Sequence, residues 1–352
     1  MILQELTIRH FRNLERVELI LHPRCNVFIG GNGEGKTSLL EAIYFLSRGQ
    51  SFRTHMTSPL VQFHHQALSL SAKNGQGDHI HFEKPAKGVN KLSLNQKKCQ
   101  RMSDLTKLLP CQLFYQDHFQ IIDASSQIRR QLLDWGLFYI YPEYLKLWQD
   151  FKRVLLQRNA VLKQKGNLET LRLWNKPFVH AALKINEYRQ RYLRDLQQEL
   201  SVMQGPDCQL KYFNGWDKTN QGFSLIDILG LQEELDRKHL YTHSGPQHAD
   251  VLFLTPQGKG KIEWSRGQQK MILILLKLAQ SKLLNQPCLY LLDDIAAELD
   301  QTHLNHLYEK LKNVNGQLMM TALDDAAKIH PFFADSRWFY IQNGAIQQII
   351  DV

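Results

Sequence analysis

The segment Gly30-Gly31-Asn32-Gly33-Glu34-Gly35-Lys36-Thr37-Ser38 carries the pattern G-x-x-x-x-G-K-[ST]. Its glycines let the backbone curl into a nest of N–H groups that face phosphate oxygens, and the Lys36 ammonium reaches the β- and γ-phosphates of a nucleoside triphosphate. The Thr37 hydroxyl suits a Mg²⁺ ion. A chance glycine turn is the competing explanation, and the context argues against it. An apolar strand, Cys25–Ile29, runs into the loop, and Leu39, Leu40, Ile43 and Leu46 recur behind it at helical spacing. The cradle is therefore expected at the positive end of a helix, with ATP and Mg²⁺ as the expected ligands.

A metal-bound triphosphate also calls for a carboxylate. Cys288-Leu289-Tyr290-Leu291-Leu292-Asp293-Asp294 reads as an apolar strand that ends in two acids. Asp293 is the candidate Mg²⁺ ligand, directly or through water, and Asp294 the candidate group for polarising an attacking water. Adjacent strand residues point to opposite faces, so the two acids have different tasks. Upstream, Ser265-Arg266-Gly267-Gln268-Gln269-Lys270 opens another helix. A Ser-x-Gly there is either a second anion site, surplus to a complete phosphate loop and so free to serve the nucleotide of a second subunit, or an ordinary helix cap by Ser265.

These groups must be positioned by the rest of the chain. Leu3, Leu6 and Ile8, then Val17, Leu19 and Leu21, predict two paired strands about a turn at Phe11-Arg12-Asn13. Residues 60–115 predict a mostly antiparallel sheet, with turns at Asn74-Gly75 and Asn95-Gln96, and a strand at Gln112 to Tyr115. From 125 to 204 the pattern is helical. Tyr144, Leu147, Trp148, Phe151, Val154 and Leu155 form one stripe, and Val179, Ala182, Ile185, Tyr188, Tyr192 and Leu196 a second, with Gly166-Asn167 between them. This predicts a helical hairpin or short bundle. Past 245 the pattern returns to α/β, with a helix from Arg266, strands over 288–292 and 317–322, and a closing hairpin about Asn343-Gly344. The expected organisation is a mixed-sheet α/β head in two pieces, 1–124 and 245–352, with a helical arm over 125–244.

Charge narrows the partners. The 352 residues carry a formal net charge of +9. That surplus suits a polyanion such as nucleic acid or an anionic membrane, and equally a basic surface that aids solubility. Residues 125–204 hold fourteen Lys and Arg against seven Asp and Glu, so the basicity belongs mainly to the arm. No apolar run is long enough to span a bilayer, and no two of the five cysteines stand at C-x-x-C spacing. These features predict a cytoplasmic protein with no membrane partner, zinc site or disulfide framework.

The order of these motifs, with L-L-D-D-I-A-A-E-L-D at 291–300, resembles the heads of ABC-type ATPases of the chromosome-maintenance and repair branch. It resembles most closely the RecF family, through I-R-H-F-R-N-L near the start, R-R-Q-L-L-D-W-G at 129–136, K-R-V-L-L-Q-R-N-A at 152–160 and S-G-P-Q-H-A-D at 244–250. The resemblance spans almost the whole chain, and these segments are far more specific than the phosphate loop. It implies two heads sandwiching two ATP molecules, with the Ser265 loop of one on the γ-phosphate held by Lys36 of the other. Gly267 and Gln268 belong to that loop. Asp300 is then expected at the dimer interface, and Arg12 and Asn13 beside the phosphates or ribose. ATP would drive a homodimer that clamps DNA, preferring duplex and single-strand/duplex junctions, and slow hydrolysis would release it. RecR and the RecA pathway are the implied partners, in recombinational repair and replication-gap processing.

The chain departs from relatives of this class at several points. Transporter-type heads usually carry Glu where Asp294 stands, and a His near the position of Thr321. Gln116 matches the metal-contacting glutamine of such heads, whereas RecF relatives more often have a Pro-acid pair there, which favours Asp117. Candidate DNA contacts are Arg129, Arg130, Lys152, Arg153 and Arg158, which would displace counterions from phosphates. Ion pairs inside the fold, or a solvated helix face, account for the same residues. Two other functions share this head: an ATP-dependent nuclease or defence ATPase, which needs an added metal-carboxylate module, and the ATPase subunit of a transporter.

Overall fold

The computed structural model describes the chain apart from His55, Thr57, Gln100, 117–121, Lys165, 218–221, 259–263, 324–332 and the side chain of Ser58. The chain divides into two compact units, Met1–His118 with Asn285–Val352, and Phe119–Leu284.

In the first unit, β1 (Leu3–Phe11) and β2 (Leu14–Ile20) pair antiparallel about the Arg12-Asn13 turn, as the alternation predicts. β3 (Cys25–Ile29) feeds the phosphate loop and α1 (Lys36–Arg48). β4 (Ala67–Asn74), β5 (His79–Pro85), β6 (Lys91–Leu94) and β7 (Lys97–Lys98) extend the first sheet in the order β2-β1-β4-β5-β6-β7. Asn95 and Gln96 both have positive φ, which suits the two-residue β6–β7 turn. After α2 (Met102–Leu108) comes β8 (Cys111–Phe114), an outer strand of the second sheet.

The second unit holds α3 (Ser126–Ile140), α4 (Tyr144–Lys163) and α5 (Leu168–Ser201), then β9 (Gln209–Phe213), α6 (Leu225–Leu231), α7 (Glu233–His239), β10 (Asp250–Leu254) and α8 (Arg266–Lys282). The helical hairpin is α4 and α5, with Phe151 and Phe178 in ring contact across it at 5.4 Å. The boundary expected at 245 is displaced. β10 pairs with β9, and Gln280 on α8 donates to the Leu132 carbonyl and the Tyr192 hydroxyl, so 245–284 group with the helical unit. The apolar pattern of α8 identified a buried helix without revealing which core buries it.

The chain returns to the first unit with β11 (Cys288–Leu292), α9 (Ile295–Glu298), α10 (Gln301–Leu311), β12 (Gly316–Ala322), β13 (Arg337–Gln342) and β14 (Ala345–Asp351). The second sheet runs β14-β13-β3-β12-β11-β8. β13, β3, β12, β11 and β8 are parallel, and β14 is antiparallel at the edge. β3, β11 and β12 are buried throughout, as strands covered on both faces require. α1 packs between the two sheets. Phe45 meets Phe82 of the first sheet at 5.1 Å, and Leu39, Ile43 and Leu46 share one core with Phe28, Leu291 and Met319 of the second. No helix among the described residues is long and apolar enough to cross a membrane.

Candidate nucleotide-binding site

The phosphate loop lies where β3 leaves its sheet and α1 begins. Gly33 and Gly35 take φ of 84° and 112°, a region that costs a residue with a Cβ. Gly35 is the N-cap of α1 and offers no side chain to it, and the first turn of α1 holds no acid. Neither a cap side chain nor an acid thus competes at this helix N-terminus, the setting in which an anion binds. A Cβ on Gly30 would stand 2.4 Å from the Ile341 carbonyl oxygen, so the loop passes β13 at a distance only glycine tolerates. The loop is braced from two other directions. Asn13 Nδ2 donates to the Gly33 carbonyl at 3.3 Å, the Glu34 carbonyl accepts from Gly344 N–H at 2.9 Å, and the Glu34 carboxylate accepts from Asn343 N–H.

Lys36 Nζ donates to the carbonyls of Gly30 at 2.6 Å and Gly31 at 2.8 Å, so the ammonium spans the mouth of the cradle. Across it, Thr37 Oγ1 donates to Asp293 Oδ1 at 3.1 Å, though the two are 256 positions apart. Thr321 Oγ1 donates to the same oxygen at 2.9 Å and accepts from Asp294 N–H at 2.8 Å. Asp293 is 6% exposed. Burial pushes its carboxyl above the usual range, against the two hydroxyl bonds. A carboxylate and a hydroxyl meeting beside a helix N-terminus are the hard-oxygen donor set that Mg²⁺ favours. The chain's residues thus fit that ion.

Asp294 is half-buried and left-handed, with φ 47°, as the N-cap of α9. The two acids differ in environment, as expected, but through this backbone reversal past the strand end rather than by strand alternation. Gln116 is exposed two residues beyond β8, whose Phe114 pairs with Leu292, so it stands at the same sheet edge as the acids. Asp117 lies outside the described residues.

Arg12 is held by an acid of α1. Its Nε and Nη2 donate to the two oxygens of Glu41 at 2.5 and 2.7 Å, and Glu41 is fully buried on α1. Ser51 Oγ also donates to Glu41, and Arg53 stands 3.6 Å from it. Sequence reasoning missed Glu41, Ser51, Arg53 and Asn343. An acid inside an apolar helix was the available signal, since a buried carboxylate requires partners.

In the second unit, Ser265 caps α8 with a full capping box. Its Oγ accepts from Gln268 N–H at 3.2 Å, and the Gln268 side chain accepts from Ser265 N–H at 2.9 Å. Ser265 and Arg266 are nevertheless exposed, and the Ser265 hydroxyl proton remains free to be donated. Asp300, in the first unit, caps α10 and bonds His303 N–H and Nδ1 at 2.9 and 2.7 Å.

Three of the five basic candidates are committed inside the arm. Arg129 makes a two-pronged pair with Asp250 at 2.7 and 2.8 Å. Arg130 is half-buried and donates to the Ala249 carbonyl at 2.7 Å. Arg158 is 0% exposed and donates to Asn175, Asp236 and Thr242 at 3.0, 2.8 and 2.6 Å. Burial therefore removes Arg158 from the set of polyanion contacts, and pairing accounts for Arg129. Lys152, over the Trp148 ring, and Arg153, beside Asp150, remain exposed. The distinctive segments converge here. Asp134 accepts from Arg189, Arg189 from the other side donates to the Pro246 carbonyl, and Asn159 accepts from Thr242. A Cβ on Gly136 would meet the Tyr192 hydroxyl at 2.0 Å. R-R-Q-L-L-D-W-G, Q-R-N and S-G-P-Q-H-A-D thus form one internal polar lattice.

The model of the RecF/RecN/SMC N terminal domain matches residues 2–329. The DNA replication and repair protein RecF of Psychromonas ingrahamii is 35% identical, over 98% of this chain and 99% of that one. That of Histophilus somni is 33% identical, over 99% and 100%. Among solved structures, the recombination mediator RecF-ATPrS in the RecFOR pathway superimposes with a TM-score of 0.84 at 23% identity, covering 98% of this chain and 97% of that one. An SmcHead bound to the C-winged helix domain of ScpA gives 0.60 at 16%, covering 100% and 98%. The fold is thus that of an ABC-type ATPase head of the RecF and SMC kind. With a family model over most of its length and full-length relatives at 33–35% identity, the chain belongs to the RecF family of DNA replication and repair proteins.

Proposed function

We propose that this chain binds ATP with Mg²⁺, pairs with a second copy in that state to hold DNA, and lets go on slow hydrolysis. In this reading it acts with RecR in directing RecA onto replication gaps. The observation that carries the reading is the meeting of Thr37 and Asp293 at 3.1 Å beside an uncapped, acid-free helix N-terminus. A related RecF is described with bound ATP.

Lys36 would exchange its two carbonyl acceptors for phosphate oxygens, a gain because both partners are then charged. Thr37 and Asp293 would hold Mg²⁺, which when bound neutralises charge on the phosphates. Thr321 fixes the Asp293 carboxylate and the Asp294 backbone through one hydroxyl. Asp294 would orient the attacking water. Its side chain is one methylene shorter than Glu and holds that water less closely, which suits a slow switch. Ser265 of a second copy would close the site with its remaining hydroxyl proton and the N-terminus of α8, and Asp300 would lie at the same interface. Lys152 and Arg153 are exposed arm cations that would meet DNA phosphates.

Sedimentation with and without ATP tests this directly. The wild-type chain is expected to dimerise with ATP, and Ser265→Arg and Lys36→Ala are expected to stay monomeric. DNA affinity should rise with ATP and fall with salt. Dimers that ignore both substitutions would overturn the shared site, and DNA affinity indifferent to ATP would overturn the clamp.

A further inference from the structure

We propose that the tip formed by Gln62, Phe63, His64 and His65 is a stacking site for an unpaired nucleobase, placed on the first unit rather than on the basic arm. The inference rests on the DNA-binding reading above and assigns single-stranded bases to one surface.

Phe63 is 83% exposed, an unusual setting for a large aromatic ring. It is not on a loose loop. Gln62 N–H donates to the His10 carbonyl at 2.9 Å, His65 N–H donates to the Gln62 carbonyl at 3.1 Å, and Val61 bridges to Phe11. The His65 ring stacks on His10 at 3.7 Å, 14° from parallel. His64 takes φ of 68°, a left-handed conformation costly for a residue with a Cβ, and its ring meets Phe63 at 4.2 Å. The backbone thus holds a strained reversal that displays two aromatic rings to solvent. Strain of this kind persists where a site needs it.

The electrostatics suit a polyanion. From 42 to 77 the chain has no Asp or Glu, so the tip itself carries no acid. The exposed Lys87 stands at the same end of the sheet, since Ala86 N–H donates to the Gln66 carbonyl and Pro85 pairs with Ala67. Exposed aromatic rings with a lysine at the same end of the sheet suit single-stranded nucleic acid, because every base has a π-face and every nucleotide a phosphate. The tip is also tied to the nucleotide site. Arg12 N–H donates to the Leu60 carbonyl at 2.8 Å, and the Arg12 side chain grips Glu41 on α1. One short segment therefore joins the stacking rings to the helix that begins with Lys36.

The test measures binding of fluorescent oligothymidylate, gapped duplex and blunt duplex, each with ATP, to the wild type, Phe63→Ala and Phe63→Trp. Phe63→Ala is expected to weaken oligothymidylate and gapped duplex by about tenfold, within the range for one stacked base, while blunt duplex and ATP change less than twofold. Trp emission in Phe63→Trp should be quenched saturably by oligothymidylate. Unchanged affinities with no quenching would overturn the proposal while leaving DNA binding intact. Loss of ATP-dependent dimers in Phe63→Ala, with DNA affinities unchanged, would assign the ring to a protein contact and also overturn it. A wild type that binds none of the three DNAs would instead remove the DNA reading itself, and this site with it.

Discussion

Arg158→Met separates the two accounts of the arm's basic residues. The Arg158 guanidinium is fully buried, makes three hydrogen bonds of 2.6–3.0 Å and faces the equally buried Asp236. Removing it strands a carboxylate that keeps only His243 as a partner, through bonds of 3.0 and 2.8 Å. Breaking a buried pair from one side costs about 3–5 kcal/mol. The Nη2 of Arg158 has no partner and already carries a desolvation penalty, which puts the loss toward the lower end. For a unit of this size the melting midpoint should fall by roughly 10 °C. Adding Asp236→Leu removes the orphaned charge and should return much of the loss. Thermal and urea unfolding read the stability, and DNA anisotropy across a salt series reads the function. Below its melting point the single variant should keep the wild-type salt slope. A variant of wild-type stability whose slope drops by about one would show that Arg158 reaches a phosphate, and the burial argument would be wrong.

Four further outcomes follow from the same geometry. Lys152→Ala with Arg153→Ala should lower the magnitude of the DNA salt slope by one to two with no change in melting temperature. Lys36→Ala should weaken ATP at least about tenfold in calorimetry, the worth of one charged hydrogen bond. Asp293→Asn should stabilise the free protein near neutral pH while abolishing Mg²⁺-dependent ATP binding. Burial raises the Asp293 pKa, so the folded state carries no penalty below the unfolded value of 3.8 and an increasing one as pH climbs toward the folded value. The stability gain of the variant should therefore vanish in acid, and a gain that persists below pH 3.8 would refute this cause. Gly30→Ala should impair ATP binding while leaving the helical unit's unfolding unchanged, because the clash is with the Ile341 carbonyl alone.

The parts of this molecule that were legible in the sequence are those written in contiguous residues. The strand, glycine loop and helix around Lys36, the apolar run ending in Asp293, and the α4–α5 stripes each carry their own periodicity or spacing. What was not legible depends on partners far away in the chain. Arg158 reads as a cation on a helix face until Asp236 and Thr242 arrive beside it from 78 and 84 positions downstream. Nothing around Arg12 in the sequence reveals that its guanidinium pairs with buried Glu41, twenty-nine positions on. Asn343-Gly344 is recognisable as a hairpin turn, but its role in bracing the phosphate loop depends on the register of β13 against β3. Thr321 stood out only as a replacement for a histidine, yet its one hydroxyl serves both acids.

The order of strands in the second sheet has a consequence for synthesis on the ribosome. β1, β2, β4 and β5 are near neighbours in the chain and can zip together while translation continues. β3 cannot, since its two sheet neighbours are β12 and β13, which emerge about three hundred residues later. Such distant pairings are slow to form. The phosphate loop hangs from β3, and its braces at Ile341, Asn343 and Gly344 come later still. A nascent chain can therefore complete its arm, with all its cations, well before it can hold a triphosphate. The loop's braces are in place only once β12, β13 and the turn at Asn343-Gly344 have closed on β3 and the phosphate loop.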